Sequence, residues 1–184
     1  VPPADGTLGG LNDYGVLPEF ALVSQTGDSV HLRDLRGHVW IADFIFTHCA
    51  STCPMMTAQL QRLKTAFGST TAVRLVSFSV DPERDTPQRL TEYAADYGAT
   101  PDRWLFLTGD KRQLRRLSVD GFHLSVDDST PEERAKGVET VLHSTRFALI
   151  DGHGHIRGYY DGTKDETVDQ LGRDARKLAA SPTP

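Results

Sequence analysis

Cysteine is scarce in this chain, with two among 184 residues. Two cannot staple a small disulfide-rich fold, nor supply a four-cysteine zinc ribbon. Long apolar runs are missing as well. The longest apolar stretch, Val39 to Phe46, is broken by Asp43, whereas a membrane-spanning helix needs about 18 to 20 apolar residues in a row. Basic charge is not in excess, since 20 Lys and Arg face 25 Asp and Glu, for a formal net charge of -5. That is the reverse of the basic face of a nucleic-acid module, and neighbouring basic residues such as Arg112, Arg115 and Arg116 form no long run. No internal repeat or low-complexity block appears, which excludes collagen-like, coiled-coil and largely disordered chains. What remains is the composition of one globular domain, with 38% hydrophobic and 24% charged residues and enough length to bury a core.

An initial methionine is also lacking. The chain begins Val1-Pro2-Pro3, shows no secretory signal, and continues through Gly6, Gly9 and Gly10. Residues 1–16 therefore read as a linker, with the expectation that a segment upstream was removed. Residues 17–180 read as the folded domain and 181–184, Ser-Pro-Thr-Pro, as a frayed tail.

Within the domain, Phe20–Val23 and Ser29–Leu32 flank Gln25-Thr-Gly-Asp28, a hairpin signal. Val39–Phe46 is β-branched and aromatic, as suits a strand buried on both faces. Met55–Phe67 carries Leu60, Leu63, Ala66 and Phe67 at helical spacing, with Ser51 or Thr52 as cap and Pro54 tolerated in the first turn. Val73–Val80 is a second buried strand. Thr86 caps a helix over Pro87–Tyr97, Trp104–Leu107 is a strand and Asp110–Val119 a helix. Gly121–Leu142 reads as an inserted loop or hairpin. Thr145–Ile150 and His155–Tyr160 form strands around the turn Asp151–Gly154, and Thr163–Ala179 closes the chain with Val168, Leu171, Ala175 and Leu178 on one face. The order predicts an α/β fold with a central mixed sheet covered by helices.

Cys49 and Cys53 lie where a buried strand turns into a helix. Unpaired N–H groups and the positive end of the helix dipole favour a thiolate there. The i, i+4 spacing lets the sulfurs approach one another, to close a disulfide or to grip one metal ion; two buried structural cysteines are the bland alternative. Soft thiolates select Cu(I), which an imidazole can complete. Of the seven histidines, His48 adjoins Cys49 but should point away. His153 and His155 read as solvated turn residues, and His31, His38 and His123 have no supporting context. His143 precedes a strand at the end of the long loop, and is the strongest ligand candidate against the alternative of a surface loop histidine. Thioether sulfur also suits Cu(I), so Met55 and Met56 are candidates, although two methionines in a first helical turn are more often packing or surface residues.

Phe44-Ile-Phe-Thr-His-Cys-Ala-Ser-Thr-Cys-Pro54 resembles the Phe-x-Phe-Thr-x-Cys-x-x-x-Cys-Pro signature of the Sco (SenC) proteins. Ser79-Val-Asp-Pro-Glu-Arg-Asp-Thr-Pro87 is similar to their second motif, and His143-Ser-Thr-Arg-Phe-Ala-Leu-Ile-Asp151 to their third. The resemblance runs from about residue 17 to 180. It implies a thioredoxin-like fold with an N-terminal hairpin and an insertion before the histidine-bearing strand. It also implies copper bound by Cys49, Cys53 and His143. The partner it implies is cytochrome c oxidase subunit II or another copper protein, with assembly of the dinuclear CuA site as the task; a thioredoxin-like reductant would be a further partner. Family members sit in the periplasm or the mitochondrial intermembrane space on an N-terminal membrane anchor, so a periplasmic or otherwise extracytoplasmic, anchored protein is expected.

Two positions depart from the family pattern. Ala50-Ser-Thr52 separates the cysteines where Pro-Asp-Val or a similar triplet is common. Asp43 lies six residues before Cys49 in a strand that should be buried, where many Sco proteins are nonacidic. Thioredoxins carry a buried acid at that offset, which takes a proton from the second cysteine. Asp43 is therefore a candidate proton relay, the alternative being a carboxyl satisfied by backbone or water. Asp81, opening the second motif, is a candidate for orienting a site residue or for capping its own loop. Four functions compete: a copper metallochaperone; a thiol-disulfide oxidoreductase in which Cys49 attacks and Cys53 resolves; a peroxidase; and a copper or redox sensor. Peroxiredoxins place Thr three residues before the reactive cysteine, and here that position is Phe46. A reductase should tolerate loss of His143, whereas a copper carrier should not.

Overall fold

The computed structural model describes residues 11–50, 52–69, 72–124 and 144–181. Among them the chain forms strands β1 (Ala21–Ser24), β2 (Ser29–His31), β3 (Val39–Ile45), β4 (Val73–Ser79), β5 (Trp104–Thr108), β6 (Arg146–Ile150) and β7 (Ile156–Asp161). The helices are α1 (Leu32–Leu35), α2 (Thr52–Ala66), α3 (Pro87–Asp96), α4 (Lys111–Arg116) and α5 (Asp165–Ala180), with a π-helical turn at Leu117–Gly121 after α4. The inserted loop expected before β6, over Gly121–Leu142, falls for the most part outside the described residues.

The strands make one mixed sheet in the order β2-β1-β5-β4-β3-β6-β7. β3, β4 and β5 run parallel, with Asp43 opposite Ser77 and Ser77 opposite Phe106. β6 is antiparallel to β3, Ala42 facing Ala148, and the β1–β2 hairpin joins β5 antiparallel through Val23 and Thr108. The hairpin follows from its turn, since Gly27 takes φ +86°, a conformation that glycine adopts without Cβ strain. All seven residues of β3 are buried, because helices cover both faces of the sheet. Val39, Ile41 and Ile45 face the side packed by Met56, Leu60 and Leu63 of α2, Leu90 of α3, and Val168 and Leu171 of α5. Trp40 and Phe44 face the other side, with Phe78, Leu114 and Phe122. There Phe44 stacks on Phe78 at 5.2 Å and meets Phe122 edge-on at 5.3 Å.

Helix ends follow their caps. The Thr86 hydroxyl accepts from the Arg89 amide at α3, and the Asp110 carboxylate from the Gln113 amide at α4. The sequence predicts one helix over Asp110–Val119; the regular α-helix stops at Arg116, and the π turn carries the chain on to Gly121. A Cβ on Gly121 would come within 3.0 Å of Pro18 and 3.1 Å of Leu117, so the end of the π turn is closely packed against both side chains. The residues from Leu11 to Val16 run beside β7: the Asn12 amide donates to the Arg157 carbonyl and the Tyr14 amide to the Ile156 carbonyl. No helix among the described residues is long and apolar enough to cross a membrane.

Candidate functional site

The site lies at the C-terminal ends of the parallel strands, where open α/β sheets place their ligands. β3 ends at Ile45, the turn Phe46-Thr47-His48-Cys49 follows, and α2 begins at Thr52. Cys49 and Cys53 are not joined by a disulfide and are buried, 8% and 6% exposed. The Cys53 amide donates to Cys49 Sγ at 3.4 Å, so an unpaired amide of the first helical turn is aimed at the first sulfur, as expected of a helix start. Burial pushes the Cys53 thiol up to about 12; the Phe46 amide pulls the other way, and the Asp43 charge adds to the rise. Two soft sulfur donors four residues apart, linked by that hydrogen bond, fit a thiophilic ion such as Cu(I), and their protons would leave on binding.

Asp43 lies in mid-strand on the cysteine-bearing face and is 1% exposed. Neither carboxyl oxygen has a hydrogen-bond partner among the described residues. Burial raises its pKa to about 7, against a smaller lowering from the Ser77 hydroxyl; that hydroxyl itself accepts from Trp104 Nε1 at 3.0 Å. Tyr93 lies in the same region. Its hydroxyl is 2.9 Å from that of Thr57, which donates to the Cys53 carbonyl at 2.8 Å. Burial carries the Tyr93 phenol above its ordinary range, and Asp43 adds to this.

Asp81 turns to its own loop. Its carboxylate takes Arg84 Nη1 at 3.3 Å, and its carbonyl accepts the amides of Arg84 and Asp85. The residue that reaches the cysteine turn is Asp85, which the sequence reading passed over. It is 0% exposed. It accepts from the Thr47 hydroxyl at 2.6 Å, from the Thr47 amide at 3.2 Å and from the Ser79 hydroxyl at 2.7 Å. The available signal was Asp85 within the second motif, near a Thr–Cys turn with polar groups needing partners.

The candidate histidines disperse. His48 is exposed, with Nδ1 3.3 Å from the Thr47 hydroxyl. His31 Nδ1 lies 3.3 Å from Asp34, and His155 Nδ1 lies 3.1 Å from Asp13. His153 and His155 belong to the β6–β7 turn, whose Gly152 carbonyl accepts from the Gly37 amide just before β3, at the sheet end away from the cysteines. His38 and His123 join neither cysteine. His143 lies outside the described residues; Ser144, next in sequence, enters β6 antiparallel to β3, at the cysteine end. Among the described residues, no group of three or more His, Cys, Asp or Glu side chains is disposed to hold a metal ion. Met56 is a core residue, 2% exposed, and Met55 is 41% exposed on the first turns of α2.

Comparison with known proteins gives the same assignment from three sides. The SCO1/SenC family profile matches residues 11–180. The SCO1 protein homolog of Bacillus subtilis (strain 168) is 36% identical over 169 residues, covering 91% of this chain and 84% of its own length. The solved structure of BsSco, described as a member of the Sco family of cytochrome c oxidase assembly proteins with a disulfide switch, aligns with a TM-score of 0.76 at 32% identity, covering 91% of this chain and 96% of that one. A copper-bound ScoI of Arabidopsis thaliana aligns with a TM-score of 0.70 at 25% identity, covering 89% of this chain and 99% of that one.

Proposed function

This chain belongs to the SCO1/SenC family, a family of copper-binding proteins with the thioredoxin-like fold, tied to cytochrome c oxidase assembly, and from that membership we propose that it carries one copper ion on Cys49, Cys53 and His143 and hands it to a copper site of the oxidase. The recipient in this reading is the CuA site of subunit II, and the protein works outside the cytoplasm, held to a membrane by a segment N-terminal to this domain. The observation that carries the proposal is the cysteine pair: both buried at the start of α2, with the Cys53 amide on Cys49 Sγ at 3.4 Å. Burial excludes competing water from the donors, and the helix N-terminus offsets the negative charge that two thiolates leave around a monovalent ion. His143 completes the set in this reading; its neighbour in sequence, Ser144, leads into β6 at the cysteine end of the sheet.

Anaerobic Cu(I) titration against a competing chelator tests this. The reduced protein is expected to bind one equivalent tightly, and Cys49→Ser, Cys53→Ser and His143→Ala to lose most of that affinity. Oxidised protein should not load without a reductant, since the disulfide removes both thiolates; tight loading of that form would contradict the assignment.

Asp43 favours a second reading, in which the same pair reduces disulfides of the recipient. A carboxyl with a pKa near 7, acting on a thiol held at about 12, can take the Cys53 proton as Cys53 attacks the mixed disulfide on Cys49. Retention of disulfide reductase activity in His143→Ala, with its pH profile altered in Asp43→Asn, would favour this reading over copper carriage.

A further inference from the structure

We propose that Asp85 is the positioning residue for Cys49, acting through the peptide unit between Phe46 and Thr47. Both ends of that unit are held. Its N–H, on Thr47, donates to Asp85 Oδ2 at 3.2 Å. Its C=O, on Phe46, accepts from the Cys49 amide at 3.2 Å. A peptide group is planar, so fixing the N–H direction fixes the C=O direction, and the carbonyl in turn holds the backbone of the first cysteine. The Phe46 amide, one residue back, acts on Cys53. One short turn thus serves both sulfurs, and its orientation is set from outside by a carboxylate on a different loop.

Asp85 is itself held. The Ser79 hydroxyl at the end of β4 donates to Oδ2 at 2.7 Å, and the Thr47 hydroxyl to Oδ1 at 2.6 Å. The Thr47 hydroxyl also accepts from Arg89 Nε at 3.4 Å, which sets a cation from α3 near a carboxylate that is 0% exposed. A buried carboxylate is costly without donors, and here the donors are the turn that it orients. Removing it frees the Phe46–Thr47 peptide to rotate, and Cys49 loses the fixed relation to Cys53 that closing a disulfide or gripping one ion requires.

The inference rests on the reading that Cys49 and Cys53 are the working pair, and the test separates the two ideas because its main readout contains no copper. The protein with its Cys49–Cys53 disulfide is equilibrated with glutathione: two glutathione thiols reduce the disulfide to the dithiol and leave as glutathione disulfide. In Asp85→Asn the equilibrium is expected to move toward the dithiol by roughly tenfold, and Cu(I) affinity to fall in parallel, the scale typical of losing an outer partner of a ligand. An unchanged glutathione equilibrium with only a lower melting temperature would make Asp85 a purely structural residue and overturn the proposal. A shift toward the disulfide, or tighter copper binding, would overturn it too, because Cys49 would then meet its partners better without the bonds that Asp85 makes to the turn. If Asp85→Asn does not fold, Ser79→Ala decides: it removes the second anchor of Asp85 without touching the turn, and should shift the equilibrium in the same direction by a smaller factor. No shift there would equally overturn the proposal. Failure of the wild-type protein to bind copper, with the glutathione shift intact, would sink the copper reading and leave this one standing.

Discussion

Asp43 keeps a carboxyl inside the sheet with no hydrogen-bond partner on either oxygen among the described residues, which a fold tolerates only if the group stays neutral over part of the pH range. Its pKa is about 7 in the native protein against 3.8 for an ordinary Asp. Between those values the native state keeps a proton that the unfolded chain has lost. Stability therefore falls as pH rises from about 4 to 7 and levels off above, a loss on the order of a few kcal/mol at about 1.4 kcal/mol per unit. Urea unfolding of the reduced protein at pH 5 and pH 8 should show this decline, and Asp43→Asn should flatten it; an equal decline in the variant would assign it to another group. Cys53 gives a second prediction. With its thiol at about 12, the alkylation rate of Cys53 in Cys49→Ser should still climb about tenfold per pH unit between 8 and 10. A plateau near pH 9 would mean an ordinary thiol.

The elements carry the site through their ends and their packing. α3 starts on Thr86, whose hydroxyl accepts from the Arg89 amide at 3.3 Å, directly after Asp85. Thr86→Ala should cost about 1 kcal/mol by chemical denaturation, with copper affinity unchanged, because the cap lies on the helix side of Asp85 and leaves its bonds to Thr47 and Ser79 intact. α2 is held from below by Met56, three residues past Cys53. A Cβ on Gly162, after β7, would fall against Met56 Sδ and 2.8 Å from Phe147. Gly162→Ala should therefore destabilise by about 1–3 kcal/mol through overpacking, again read from the unfolding midpoint. A neutral result would mean that the Met56 side chain yields freely.

Over the whole molecule, helices on both faces bury the central strands, and the parallel core brings the ends of β3 and β4 together with the entry to β6. Ligation by Cys49, Cys53 and His143, as proposed, would tie two distant stretches of chain, so copper should act on global stability. Cu(I) at a hundredfold above its Kd should add about 2.7 kcal/mol to the unfolding free energy of the reduced protein and nothing to the oxidised form, as calorimetry of the two would show. Much of this was legible in the chain by itself. Val39–Phe46 announced a strand buried on both faces because it lacks the polar alternation of a half-exposed one. Thr86-Pro87 and Asp110 announced helix starts because a cap is a local hydrogen bond. The Cys-x-x-x-Cys-Pro run at a strand–helix junction marked the site because its spacing is that of one helical turn. Strand order was not legible: nothing local says that the β1–β2 hairpin joins β5 rather than β7, since pairing is a contest between distant edges. The π turn after α4 was hidden for a similar reason, because it packs Gly121 beside Pro18, a contact between distant parts of the chain. Asp85 was the chief omission at the site. Its motif was visible, yet Asp81 drew attention by opening it. Only the folded chain shows that the loop after β4 turns Asp81 toward Arg84 and Asp85 inward onto Thr47, because the direction of a side chain in a loop is set by the backbone and by partners 38 residues away in sequence, not by its neighbours.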